Sequence, residues 1–116
     1  MRIPVGGSWV SAQVALRQSP VVVIALHPWG PIGGSIQDPH CVTVCRLFGT
    51  AGCSTVRFDF RRGIGSGSAS VEDVRAVAAW FTDRREDGSE PLASQVLVVG
   101  YSYGSMIGAA ATAEIP

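Results

Sequence analysis

Apolar and polar residues alternate in two different rhythms along this chain. Residues 8–17 run roughly apolar-polar-apolar, the pattern of a strand with one wet face near a sheet edge. Gly6-Gly7 would turn a shorter strand at residues 3–5 into it. After the Ser19-Pro20 turn, residues 21–26 are continuously apolar and mostly β-branched, as expected of an inner parallel strand buried on both faces. The rhythm then becomes helical. Val44, Leu47, Phe48 and Ala51 share one face, with Asp38 as N-cap, Pro39 in the first turn and Gly52 just past the end. Residues 54–60 read as a strand. Ser70 and Asp73 have capping-box spacing before a second helical face of Val71, Val74, Val77, Ala78 and Phe81. A last apolar run at residues 95–99 passes through Gly100–Gly104 into a small-residue helix.

Strands that alternate with helices of this length call for an α/β fold: a mostly parallel sheet with helices on both faces. Residues 1–116 suffice for a single domain with one core.

Composition narrows the class. Apolar residues make up 47% of the chain and charged residues 16%, which argues against extended disorder. The formal net charge is zero, so nothing in it recruits nucleic acid or an anionic membrane. The N-terminal residues lack the apolar core of a signal peptide, and residues 21–26 are too short to cross a bilayer. Three cysteines without a framework spacing fit a reduced, cytoplasmic setting.

The candidate chemistry centres on Gly100-Tyr101-Ser102-Tyr103-Gly104. A strand turning sharply into a helix needs minimal side chains on both sides of the corner, and Gly100 and Gly104 supply that around Ser102. This is the pattern of a nucleophile elbow. A serine hydroxyl needs a base and donors for the developing oxyanion. The Tyr103 N–H is one candidate donor. Pro28 has no N–H, so Trp29 is the first candidate for the other in the loop after residues 21–26. His27 reads as an anchor for that loop, with a catalytic base as the competing reading, and His40 reads as a solvated helix residue. Cys41 and Cys45 are one turn apart but do not by themselves close a metal site, so they read as small buried residues. Gly63-Ile64-Gly65-Ser66-Gly67 fails the phosphate-loop patterns and reads as a turn. Arg57, Arg61 and Arg62 read as a salt-bridged or solvated edge, with contact to an anionic substrate as the alternative.

With these residues laid out, the chain resembles the N-terminal half of an α/β-hydrolase, in particular the dienelactone-hydrolase-like and esterase-like group. Three motifs in order carry the resemblance: His27-Pro28-Trp29-Gly30 with Gly33-Gly34-Ser35, then Arg57-Phe58-Asp59-Phe60-Arg61-Arg62-Gly63, then the Gly100–Gly104 elbow. Asp59 stands where the group often has Asn, and one Arg is extra. The resemblance implies Ser102 as nucleophile, Trp29 and Tyr103 as oxyanion donors, a small-molecule ester or acyl substrate, and no cofactor or metal. It also implies a triad in the order Ser, acid, His. After Ser102 this chain offers only Glu114 and no histidine. Three expectations follow, in this order: a partial serine hydrolase, an inactive fragment acting as a binding module, and a short enzyme recruiting His27 or His40. Residues 96–99 would form an open apolar edge through which the chain can self-associate.

Overall fold

The computed structural model describes residues 1–28, 34–61 and 67–113. The strands β1 (Arg2–Val5), β2 (Ser8–Ala15), β3 (Val21–Leu26), β4 (Ser54–Phe58) and β5 (Gln95–Gly100) form one sheet in the order β1-β2-β4-β3-β5. β3 pairs parallel with both β4 and β5, while β2 pairs antiparallel with β1 and β4. Four of the five strands therefore point the same way, and only β2 is reversed. β2 lies near the sheet edge as expected, with the shorter β1 taking the edge itself.

Three helices cover the sheet among the described residues: α1 (Pro39–Thr50), α2 (Ser68–Thr82) and α3 (Tyr103–Thr112). α1 packs on β3 and β4, whereas α2 packs on β1 and α3, and α3 on β5. The larger core lies on the α2–α3 face. It joins Ile3, Val5, Val10, Ile24, Val56, Phe58, Val74, Val77 and Phe81, and Val22, Ile24 and Leu26 project into it from alternate positions of β3. Ala25 faces the other way, onto Cys41 and Cys45 of α1.

The helix caps divide between expectation and correction. Asp38 caps α1, accepting from the His40 and Cys41 N–H groups, with Pro39 as the first helical residue. The expected apolar face of α1 is corrected. Cys41, Cys45 and Gly49 are buried, while Leu47 is 62% exposed. Small residues let this helix lie close to the sheet and leave room for the Arg17 side chain beside Gly49. The capping box at Ser70 is also corrected. α2 begins at Ser68, Gly67 is its N-cap at φ 83°, and no side chain caps it. Ser70 and Asp73 are buried and serve partners elsewhere. β4 ends at Phe58, two residues before its expected limit; the Asp59 N–H still donates to the Ser11 carbonyl of β2 at 3.0 Å, while the Asp59 carboxylate and the Phe60 N–H serve partners at the site.

Candidate active site

The elbow sits where β5 ends and α3 begins, beside the C-terminal end of β3. Ser102 adopts φ 55° and ψ −120°. It is the sole non-glycine residue with positive φ among the described residues. A side-chain-bearing residue held there costs on the order of 1–3 kcal/mol, so its surroundings must impose the conformation. The flanking glycines explain how. A Cβ on Gly100 would lie 2.5 Å from the Gly104 carbonyl group, and one on Gly104 would lie 2.6 Å from the Leu26 oxygen. The first turn of α3 thus wedges between the end of β5 and the end of β3. The Ser102 carbonyl accepts from the Ser105 N–H at 3.0 Å and the Ser105 hydroxyl at 2.6 Å, and the Tyr101 carbonyl accepts from the Gly104 N–H at 3.0 Å. Ser102 itself is exposed. Tyr103 opens α3, so no earlier helical carbonyl exists for its N–H.

The sheet ends around the elbow are tied together by His27, in the loop-anchoring role expected of it, and by Asp59 and Arg57. His27 is 4% exposed. Its Nε2 accepts from the Phe60 N–H at 3.2 Å, which puts the proton on Nδ1, and Nδ1–H donates to the Pro28 carbonyl. Both ring nitrogens are occupied, so His27 has none left for Ser102 and acts as an anchor between the β3 and β4 loops. Asp59 and Arg57 hold the same loop farther on. Asp59 Oδ1 accepts from the Ile36 N–H at 2.6 Å, and Arg57 Nε–H donates to the Ile36 carbonyl at 2.8 Å. One backbone unit is gripped from both sides by residues at and just past the end of β4.

Phe60 lies beneath the elbow. Its ring meets those of His27 at 4.7 Å, Phe58 at 5.3 Å and Tyr103 at 5.8 Å, all edge to face. The Tyr103 hydroxyl shares a 2.8 Å hydrogen bond with the Ser70 hydroxyl, which joins α3 to α2. Arg61, next in the chain, donates its backbone N–H to Asp73 Oδ2 at 2.7 Å and its Nε–H to Asp73 Oδ1. Burial pushes the Asp73 carboxyl up, and the hydrogen bonds and charge of Arg61 oppose that push.

On the α1 side, His40 stacks on Tyr101 with ring centroids 4.4 Å apart and lies 3.5 Å from Asp38. Beneath this stack is a cleft of about 150 Å³ lined by Ala25, Leu26, Cys41, Val44, Val99 and Gly100. Burial, with Asp38 and Cys45 nearby, pushes the Cys41 thiol up to about 12, so it is not a thiolate nucleophile at neutral pH. No group of three or more His, Cys, Asp or Glu residues is placed to hold a metal ion among the described residues. A larger cleft, of about 620 Å³, lies at the other end of α2 against Pro4, Trp80 and Arg85.

The structure therefore brings Ser102, Tyr103, Gly100 and Gly104 together and places His27 and Gly34 just behind them. Trp29, the expected second oxyanion donor, lies outside the described residues, as do Arg62, the Gly63–Ser66 part of the glycine-rich turn, and Glu114. Ile36, Arg57, Asp59, Ser70 and Asp73 were missed as supports. The one available signal was a carboxylate and a guanidinium placed at a strand end, where side chains meet the neighbouring loop.

No family model matches the chain, and no curated protein matches it. Solved structures do. An α/β serine hydrolase homologue from Coxiella burnetii is 24% identical with a TM-score of 0.79, over 95% of this chain and 54% of that one. An α/β serine hydrolase without a lid from Xanthomonas campestris is 26% identical with a TM-score of 0.78, over 97% and 54% of the two chains. A dienelactone hydrolase from Anabaena variabilis is 17% identical with a TM-score of 0.73, over 100% and 56%. The fold is that of the α/β serine hydrolases. The chain spans about half the length of the solved structures it matches, and that half is the N-terminal one.

Proposed function

We propose that these residues are the nucleophile-bearing half of a serine hydrolase acting on an ester or acyl bond of a small molecule. Ser102 is the nucleophile in this reading, and the Tyr103 and Trp29 N–H groups are the oxyanion donors. The carrying observation is the Ser102 backbone, held at φ 55° and ψ −120° between two glycines that leave no room for a Cβ. Strain of this kind, placed on an exposed serine at a strand-to-helix corner, has its clearest use in presenting the hydroxyl to a substrate. The Tyr103 N–H belongs to the first turn of α3, where the helix dipole favours a developing negative charge.

Activation of Ser102 needs an acid and a histidine from outside these residues. His27 is spent on Phe60 and Pro28, while His40 stacks on Tyr101 with its Nδ1 beside Asp38, and among the described residues no hydrogen bond joins it to Ser102. The 116-residue chain alone is therefore inactive in this reading. The same two histidine assignments favour a second reading, a catalytically inactive hydrolase-like module that binds rather than cleaves. The three free cysteines suit a reducing, cytoplasmic setting in either case.

The reading frame beyond the codon for Pro116 separates the two. A continuation with an acid after one further strand and a histidine after a later one supports the hydrolase. An immediate stop, with a well-expressed monodisperse product, favours the module. On the completed form, a fluorophosphonate probe should label wild type and not Ser102→Ala. No labelling of a folded, completed form would sink the nucleophile assignment.

A further inference from the structure

The first turn of α3 carries the Tyr103 N–H, and no side chain caps that turn. An uncapped helix start frays unless something outside the helix holds it. Two contacts do so here. Gly104 lies against the Leu26 and His27 carbonyl oxygens, which a Cβ would meet at 2.6 and 2.8 Å. The other contact is the Tyr103 side chain, whose ring meets Phe60 edge to face and whose hydroxyl shares the 2.8 Å hydrogen bond with Ser70.

Ser70 does no work for its own helix. It lies in the first turn of α2, which begins at Ser68, so no carbonyl of the helix stands four residues behind it. Gly67 holds the cap position. Ser70 is 5% exposed, so its hydroxyl and that of Tyr103 satisfy each other. The start of α2 approaches α3 closely: a Cβ on Gly67 would lie 2.9 Å from Ile107 Cδ1 and 3.4 Å from the Tyr103 hydroxyl. One turn on, Asp73 ties α2 to Arg61, just past the end of β4.

The shape of a tyrosine makes such a bond a lever. Its oxygen lies on the Cβ–Cγ axis, so rotation of the ring does not move it. With the oxygen and the ring plane fixed, one bond, Cα–Cβ, separates the anchor from the backbone, and that bond is confined to staggered wells. A hydroxyl held on α2 thereby sets the direction in which the Tyr103 backbone presents its N–H.

We propose that Ser70 is a positioning residue for the oxyanion site: through the Tyr103 side chain it holds the Tyr103 N–H in place relative to the chain leaving β3. The inference rests on the reading of Ser102 as nucleophile and of the Tyr103 N–H as an oxyanion donor. Phe60 completes the arrangement, because its N–H donates to His27 Nε2 and its ring packs on both His27 and Tyr103. An oxyanion donor works only when it is already at hydrogen-bond distance from the developing charge, so a small displacement lowers the rate and leaves ground-state binding alone.

Two facing hydroxyls can be removed together at little cost in stability, which separates positioning from simple support. Ser70→Ala combined with Tyr103→Phe should leave the unfolding midpoint of the 116-residue chain near that of wild type. Exchange of the Gly104, Ser105 and Met106 amides should nevertheless quicken at least ~10-fold, with the α2 amides unchanged. Unchanged exchange at those three amides overturns the proposal by itself. Catalysis is read in a chimera of residues 1–113 with the part of the Xanthomonas campestris hydrolase that lies beyond its match to this chain. There the double variant should lower kcat on a p-nitrophenyl ester about 10-fold with KM unchanged. An unchanged kcat overturns the proposal and leaves the nucleophile reading intact. So does a fall in kcat that only tracks a fall in the unfolding midpoint, which would make the bond a support. A folded chimera that hydrolyses no ester and ignores a fluorophosphonate with wild-type Ser102 in place sinks the nucleophile reading itself, and the positioning role with it.

Discussion

The two edges of the sheet are built from similar residues and end in opposite conditions. At one edge β1 is four residues long, Ile3 and Val5 are at most 1% exposed, and α2 packs across it. At the other, β5 is six residues long, none of them is buried, and Leu97 and the adjoining Tyr101 stand in solvent. Short, covered edges are how a sheet avoids pairing with other chains, and long apolar edges invite it. Hydrophobicity alone does not mark a finished core. What differs is whether an element of the same chain reaches the face, and only α2 does so fully. The elbow lies at the open side, so the strained Ser102 is held firmly from beneath and left unguarded beside it.

Mutations can test this contrast directly. Phe81 is fully buried against the closed side, and Phe81→Ala should destabilise the chain by about 3–5 kcal/mol in urea unfolding. A loss under ~1 kcal/mol would mean the closed side is loosely packed and the contrast is false. Arg61→Ala leaves the fully buried Asp73 carboxylate with the backbone N–H of residue 61 but without its guanidinium, and should cost about 3 kcal/mol. The double variant with Asp73→Asn should recover part of that loss, and no recovery would show that the pair is not the cause. Tyr103→Phe removes the hydroxyl shared with Ser70 and should cost about 1 kcal/mol, read as a shift in thermal midpoint. It tests how far the elbow helix depends on the closed side. At the open side, Leu97→Ala should change stability by no more than ~0.5 kcal/mol. A loss comparable to that of Phe81→Ala would erase the difference between the edges.

The elements that sequence made legible share a local cause. Asp38-Pro39 begins α1 because a side-chain oxygen and a fixed φ act within one turn. β3 is recognisable because both of its faces are buried and so every position is apolar. The elbow is legible because the close approach of α3 to two strands admits only glycine at positions 100 and 104. Where the reading failed, a distant partner had claimed the group. Ser70 and Asp73 have capping spacing, yet Tyr103 and Arg61 take their oxygens, and α2 starts earlier on Gly67. Leu47 continued a helical stripe, yet the sheet accepts Cys41, Cys45 and Gly49, because a close helix-to-sheet contact selects small size over hydrophobicity. His27 was legible as a loop anchor, but what it holds was not. Its two hydrogen bonds run to its own neighbour and to Phe60, and the second joins two loops 33 residues apart.

Sequence by itself determined the order and kind of the elements and the position of the corner at Ser102, since these depend on residue identity and on contacts within a few positions. Only the tertiary structure decided that Ser102 is strained and exposed, that His27 is an anchor, that Asp59 and Arg57 hold Ile36, and that β5 is covered on one face and bare on the other. Each of those depends on which strand lies beside which, and pairings across 20 to 75 residues are set by the packing of the whole sheet.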